Sequence, residues 1–223
     1  RIITMMNVVD DHLVIEEKGI YSIEKFLMAR RLMYWQVYLH KTVISAEIML
    51  IAVLKRARQL TLSGIQIPSS PELNYFLGLQ GEGINYLEDP AFLQNFVRLD
   101  DIDILWLMKK SVDHEDQIFS ALCKNLLDRK LLKVKIKNEE SYADFSSLRT
   151  QFQEKYHLND EETKLFFTEK KEVIYPYDLK SDELKILLKS GKISPYSALN
   201  PYLNKSPEER TFLFYQRGNN MMA

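Results

Sequence analysis

Arg30, Arg31, Tyr34, Tyr38, Lys41 and Ser45 recur at steps of three and four, so on a helix turning about 100° per residue they share one stripe. Unpaired Arg and Lys are costly to bury, which means that such a stripe faces water, a partner or a ligand pocket. A solvated edge with tyrosines snorkelling at its margin satisfies the same spacing. Other chemistry-bearing groups are sparser. Asp11-His12 could supply two metal ligands, but a site needs three or more, and a turn is the simpler reading. The acid groups Asp100-Asp101-Ile102-Asp103 and Asp113-His114-Glu115-Asp116 invite a metal reading too. Carboxylates in a first helical turn, however, are what orphan amides and the positive dipole end favour. Asp113 followed by Asp116 has capping-box spacing with Asp113 as the N-cap. Gly81-Glu82-Gly83 lacks the third glycine and the preceding strand of a phosphate-cradling loop. No metal ligand and no catalytic residue is assigned within the chain.

The stripe has to be carried by a long element. Ile20 to Ser63 contains neither Gly nor Pro, Gly19 and Gly64 bracket it, and Ser22 can serve as N-cap. A helix of this length spans on the order of 60 Å and is open to a kink into two. Phe26, Met33, Val37, Ile44 and Ile51 form a second stripe; Met28, Leu32, Leu39, Val43 and Leu50 form a third. A helix apolar on most of its circumference is expected to be central and buried.

Before this helix, Arg1 to Val9 reads as a helix tail, Asp10-Asp11 as a turn and His12 to Glu17 as a strand. After it, Ser63 to Asp89 is dense in Gly and Pro and reads as a loop-rich connection. Helices follow through Lys110 and from Asp113 to about Leu127. Lys133 to Lys137 alternates as a half-buried strand whose lysines guard an exposed face, and Ser141 to Tyr156 has a helical rhythm. Lys164 to Thr168 and Glu172 to Tyr177 read as two β runs separated by Glu169-Lys170-Lys171. Two short segments, 181–189 and 197–203, precede a last strand from Arg210 to Gln216, and Gly218-Asn219-Asn220 is expected to fray. The fold class is mainly α with a small α+β part: a helical portion over 1–129 and a mixed or antiparallel sheet with short helices over 130–223, packed together because no long linker separates them.

Composition bounds the function. At 223 residues and 46% hydrophobic, the chain is ordinary globular protein. A formal net charge of -1 removes any global case for nucleic acid or an anionic membrane. The one cysteine, Cys123, sits in an apolar rhythm and excludes an internal disulfide. The longest apolar passage, Ile44 to Leu54, is interrupted by Glu47 and is shorter than a membrane span, and no signal-peptide layout opens the chain. A cytoplasmic location is the default expectation.

The run Tyr21 to Ala57 resembles the long helix of HD-superfamily phosphohydrolases, in the branch of deoxynucleoside triphosphate triphosphohydrolases. Arg30, Tyr38, His40 and Lys41 meet the family's pattern of an Arg, a Tyr eight residues on and a His-Lys pair directly after. His12 to Gly19 resembles the strand and turn leading into that helix. The resemblance implies a metal-dependent hydrolase acting on deoxynucleoside triphosphates or related nucleotides. Arg30 would bind substrate phosphate, Tyr38 the sugar, and Tyr34 the same side, while His40 and Lys41 would lie near subunit or effector contacts. Arg30, Tyr34, Tyr38 and Lys41 are the expected substrate-binding residues. Where relatives often carry His, this chain has Tyr34. The family also holds its divalent metal with a His, a His-Asp dyad and a further Asp, whereas His12, His40, His114 and His157 are not followed by Asp. The chain opens at Arg1 in an apolar run. It is therefore expected to be the carboxyl-terminal part of a larger homo-oligomeric hydrolase that holds the metal upstream, inactive by itself. The alternative is a non-enzymatic helical scaffold for oligomerisation or regulation.

Overall fold

A computed structural model describes residues 2–80, 89–174, 183–199, 208–216 and 221. The architecture is mainly helical with a small β part, as the sequence implies, but the strands form two sheets where one was expected. Its two compact units do not divide at 129/130. One comprises Arg1–Val43 with Lys171–Thr211, the other Ile44–Lys170 with Phe212–Ala223.

The first unit opens with a 3-10 turn at Ile3–Met5 and strand β1 (Met6–Val9), not the expected helix tail. β1 pairs antiparallel with β2 (His12–Glu16), Val9 facing His12. The connecting Asp10 and Asp11 both take positive φ, 50° and 60°. Positive φ at both central residues is the turn whose twist matches a hairpin, and Asp tolerates it, so these two residues select strand pairing over helix. β2 runs parallel to β5 (Lys185–Leu187), which pairs antiparallel with β6 (Ile193–Pro195), giving the order β1-β2-β5-β6. The short α9 (Tyr196–Leu199) follows. A small core gathers Ile15, Ile23, Leu27, Ile186 and Tyr196.

Helix α1 (Ile20–Met33) starts from Gly19, with Ser22 inside its first turn and making no cap. A Cβ on Gly19 would lie 2.8 Å from Ile15 Cγ2, so glycine lets the chain pass that close to β2. In α1 only Ile23 and Leu27 are buried; Phe26, Met28, Leu32 and Met33 are exposed. The expectation of a central helix buried along its apolar stripes therefore fails for this half. A π-helical turn (Tyr34–Tyr38) follows, and Leu39 N–H donates to Tyr34 O at 2.8 Å across it. The run then breaks at Leu39-His40 and resumes as α2 (Lys41–Leu62), where His40 Nδ1 accepts the Thr42 amide at 3.3 Å.

In the second unit, α2 buries Ile44, Met49, Ala52, Val53, Ala57 and Leu60. Segment 63–80 is not all loop: Ser70 caps α3 (Pro71–Gly78), its hydroxyl accepting the Leu73 amide with Pro71 at the first position. Gly81-Glu82-Gly83 and Gly218-Asn219-Asn220 lie outside the described residues. Asp89 and Pro90 open α4 (Pro90–Phe96) in the same manner, and Asp100 with Asp103 forms a capping box on α5 (Asp101–Lys110). Helix α6 (Gln117–Leu127) is capped by Asp116, not Asp113. Asn138 and Ser141 cap α7 (Glu139–Tyr156), and Asn159 and Glu162 cap α8 (Asp160–Lys164).

Strand β3 (Lys133–Ile136) pairs antiparallel with β7 (Glu208–Tyr215), Val134 facing Phe214, in a sheet ordered β3-β7-β4. Val134 is buried whereas Ile136 is exposed, so the half-buried pattern holds for one residue of the expected pair. β4 (Phe167–Ile174) is one strand through Glu169-Lys170-Lys171, where two runs were expected. Lys137 answers Glu169 at 2.7 Å and Glu209 answers Lys171 at 2.6 Å, so these charges are carried along a strand without a turn. Phe119, Phe152, Phe166, Phe167 and Leu213 join the α2 face in the core, with Phe152 and Phe167 rings 5.2 Å apart. Cys123 is fully buried among them, and burial pushes its thiol up to about 12.

Candidate functional site

The stripe is built where α1 passes into the π-helical turn. Arg30 Cζ lies 5.7 Å from the centre of the Tyr34 ring, and the Tyr34 and Tyr38 rings meet edge to face at 5.2 Å. The guanidinium and two phenols thus form a ladder at steps of four, held by cation-π and aromatic contacts. Arg30 and Tyr38 are exposed and Tyr34 half-buried. Their hydroxyl and guanidinium groups can meet a polar ligand from outside. π-helical turns are frequent at functional sites because they re-aim side chains that a regular helix would stack.

The rest of the expected stripe separates. Lys41 begins α2 beyond the break, and among the described residues no interaction joins it to the ladder. Ser45 is buried, donating to Leu132 O at 3.0 Å. The phase of a continuous helix would have aligned both; the π-helical turn and the Leu39-His40 break remove that alignment. One contact had no local signal in the sequence. Arg210, on β7, places its Cζ 3.7 Å from the centre of the Trp35 ring, inside the turn that carries the two tyrosines.

The acid clusters resolve into caps and one ion-pair network. Arg56 of α2 donates through Nε to Asp116 Oδ1 at 3.1 Å and through a terminal nitrogen to Oδ2 at 2.6 Å. Its other terminal nitrogen is 3.4 Å from Glu162 Oε1. Asp116 Oδ1 also accepts the Phe119 amide at 2.7 Å. Burial pushes the Asp116 carboxyl upward, but the Arg56 fork and the Phe119 amide outweigh it and leave the group below the usual aspartate range. The Ser70 hydroxyl, with the Asp100 amide, lowers Asp103 likewise.

The divalent metal that the resemblance implies does not fit these side chains. Among the described residues no three His, Cys, Asp or Glu groups converge. His114 Nδ1 accepts the Asp116 amide at 3.0 Å, and His157 ends α7 at a φ of 50°. Among the same residues, no single helix is long and apolar enough to cross a membrane.

Residues 1–66, which contain the whole ladder, match the HD associated region family. A phosphohydrolase from Bacteroides thetaiotaomicron VPI-5482 superposes with a TM-score of 0.84 at 36% identity, over 97% of this chain and 55% of that one. These matches support an HD-related family. YwfO of Bacillus subtilis (strain 168), described as uncharacterized, is 33% identical over 155 residues, 69% of this chain and 34% of its own length. A hypothetical protein from Aquifex aeolicus shares the fold at a TM-score of 0.60 and 21% identity, over 97% of this chain and 47% of that one. The chain thus spans about a third of the curated relative and about half of each solved structure.

Proposed function

We propose that the chain is the carboxyl-terminal part of an HD-type, metal-dependent phosphohydrolase acting on deoxynucleoside triphosphates or related nucleotides. The observation carrying this reading is the Arg30-Tyr34-Tyr38 ladder, which lies inside the matched HD associated region. The likeness to a phosphohydrolase along nearly the whole chain supports it. Arg30 offers a planar five-donor fork to a phosphate, and the Tyr34 ring face steadies that cation where it can meet the substrate. Tyr38 offers a hydroxyl to the sugar, and Lys41 adds charge near an effector or subunit contact. The metal would be held by residues outside these 223. A homo-oligomer in the cytoplasm completes the reading.

Arg30→Ala in the full-length protein tests it. Loss of one charge-assisted hydrogen bond lowers kcat/KM by the equivalent of about 1.5–3 kcal/mol, with the melting temperature unchanged. Tyr38→Phe acts more mildly. Unchanged kinetics, or inactivation that tracks unfolding, would sink the pocket. The exposed apolar residues of α1 favour a second reading, a helical scaffold whose job is assembly, in which Arg30→Ala leaves any activity intact.

A further inference from the structure

Along α7, Tyr142, Phe145, Ser146 and Arg149 recur at steps of three and four and line one wall of a pocket of about 330 Å³. Lys164, the last residue of α8, and Thr168 of β4 line it from the other side. The volume suits a small ligand. Its floor is apolar: Phe145 is buried and stacks on the Tyr142 ring at 6.1 Å. Its polar groups are mostly donors.

Arg149 gives one terminal nitrogen to Asp160 at 2.9 Å; among the described residues its Nε and second terminal nitrogen have no partner. Among the described residues the Ser146 and Thr168 hydroxyls make no hydrogen bond either. Lys164 meets Glu161 at 2.5 Å. Asp160 and Glu161 are mostly exposed, and ion pairs of this kind contribute little, so a doubly charged ligand can displace them. Glu169, the acid among the lining residues, is already answered by Lys137 at 2.7 Å.

We propose that this pocket binds a small phosphomonoester. Arg149 and Lys164 hold the phosphoryl oxygens as a fork and a point charge, Ser146 and Thr168 donate to the same oxygens, and the carbon skeleton lies against Phe145 and Tyr142. The site shares no residue with the Arg30 ladder, so the two readings stand or fall separately.

Calorimetric titration of the 223-residue chain with inorganic phosphate, ribose 5-phosphate and adenosine monophosphate tests it. Saturable one-to-one binding of a phosphomonoester at millimolar or lower concentration is expected, weakened about tenfold or more in Arg149→Gln and in Lys164→Gln. Tighter binding of the nucleotide than of ribose 5-phosphate assigns the Tyr142 wall to a base; equal binding assigns the site to sugar phosphates. Because Arg149 also ties α7 to α8, Thr168→Val serves as the variant that breaks no ion pair, and it should weaken binding several-fold with an unchanged melting curve. Absence of binding by all three compounds, or binding that survives Arg149→Gln, Lys164→Gln and Thr168→Val, overturns the proposal.

Discussion

The two halves of one Gly- and Pro-free run, α1 and α2, are both rich in apolar residues and differ in how much of them is covered. Val53 and Ala57 in α2 are fully buried, whereas Phe26 and Leu32 in α1 are 54% and 47% exposed. Both halves are apolar on several sides. The difference lies in what surrounds them: α2 packs into a core shared with aromatic residues of α6, α7 and β4, while α1 turns only Ile23 and Leu27 into the small core of its own unit. Hydrophobicity read round a helix therefore measures how much cover the helix can accept, not how much it has. The π-helical turn stands between the two regimes, and the ladder is built on it.

The largest expected effect tests the buried side of this contrast. Met49 is 1% exposed, and Met49→Ala should lower the unfolding free energy of the chain by about 2–5 kcal/mol, as large-to-small changes in a packed core do. Denaturant titration measures it. A loss under about 1 kcal/mol would mean that α2 is no better covered than α1.

Next comes the polar tie between α2 and the rest of its unit. Asp116→Ala removes the cap of α6 and both Arg56 hydrogen bonds together, so a loss of about 2–4 kcal/mol is expected. The native Asp116 carboxyl lies below its unfolded value of about 4, so its contribution is complete above that pH and is lost as pH falls below it toward the depressed native value. In Asp116→Ala this part of the acid sensitivity should disappear. Three residues earlier, Asp113 is exposed in a turn and caps nothing, so Asp113→Ala should stay within about 0.5 kcal/mol. A larger loss at Asp113 than at Asp116 would restore the cap expected from spacing alone.

These cases mark how far the sequence was legible. Strand β2, helices α5 and α7 and the last strand follow from periodicity and caps, because hydrophobic spacing and short-range capping are local. The hairpin at Asp10-Asp11 is encoded too: the turn and the strand after it are legible there, and only the run before it, Arg1 to Val9, reads as a helix tail where the structure has a 3-10 turn and β1. The break at Leu39-His40 carries no Gly or Pro; it arises from a backbone bond that skips a residue, and side-chain type does not announce it. Within the candidate site, Arg30, Tyr34 and Tyr38 meet as their spacing implied, whereas Ser45 left the stripe for a buried hydrogen bond with Leu132. Trp35 with Arg210 and Arg56 with Asp116 join positions far apart in the chain, which a pattern of nearest turns cannot pair.

The smallest expected effect tests the uncovered side. Leu32 is about half exposed on α1, and Leu32→Ala removes apolar surface that water already reaches while exchanging one strong helix former for another. Its cost to the 223-residue chain should fall within about 0.5 kcal/mol, far from that of Met49→Ala although both residues sit in the same apolar run. Concentration adds a second reading. If copies of the chain cover α1 in solution, stability gained by mass action rises with protein concentration, and Leu32→Ala should then cost more at high concentration than at low. A loss above about 1.5 kcal/mol that does not depend on concentration would show that α1 is packed within a single chain, and the contrast between the two halves would be gone.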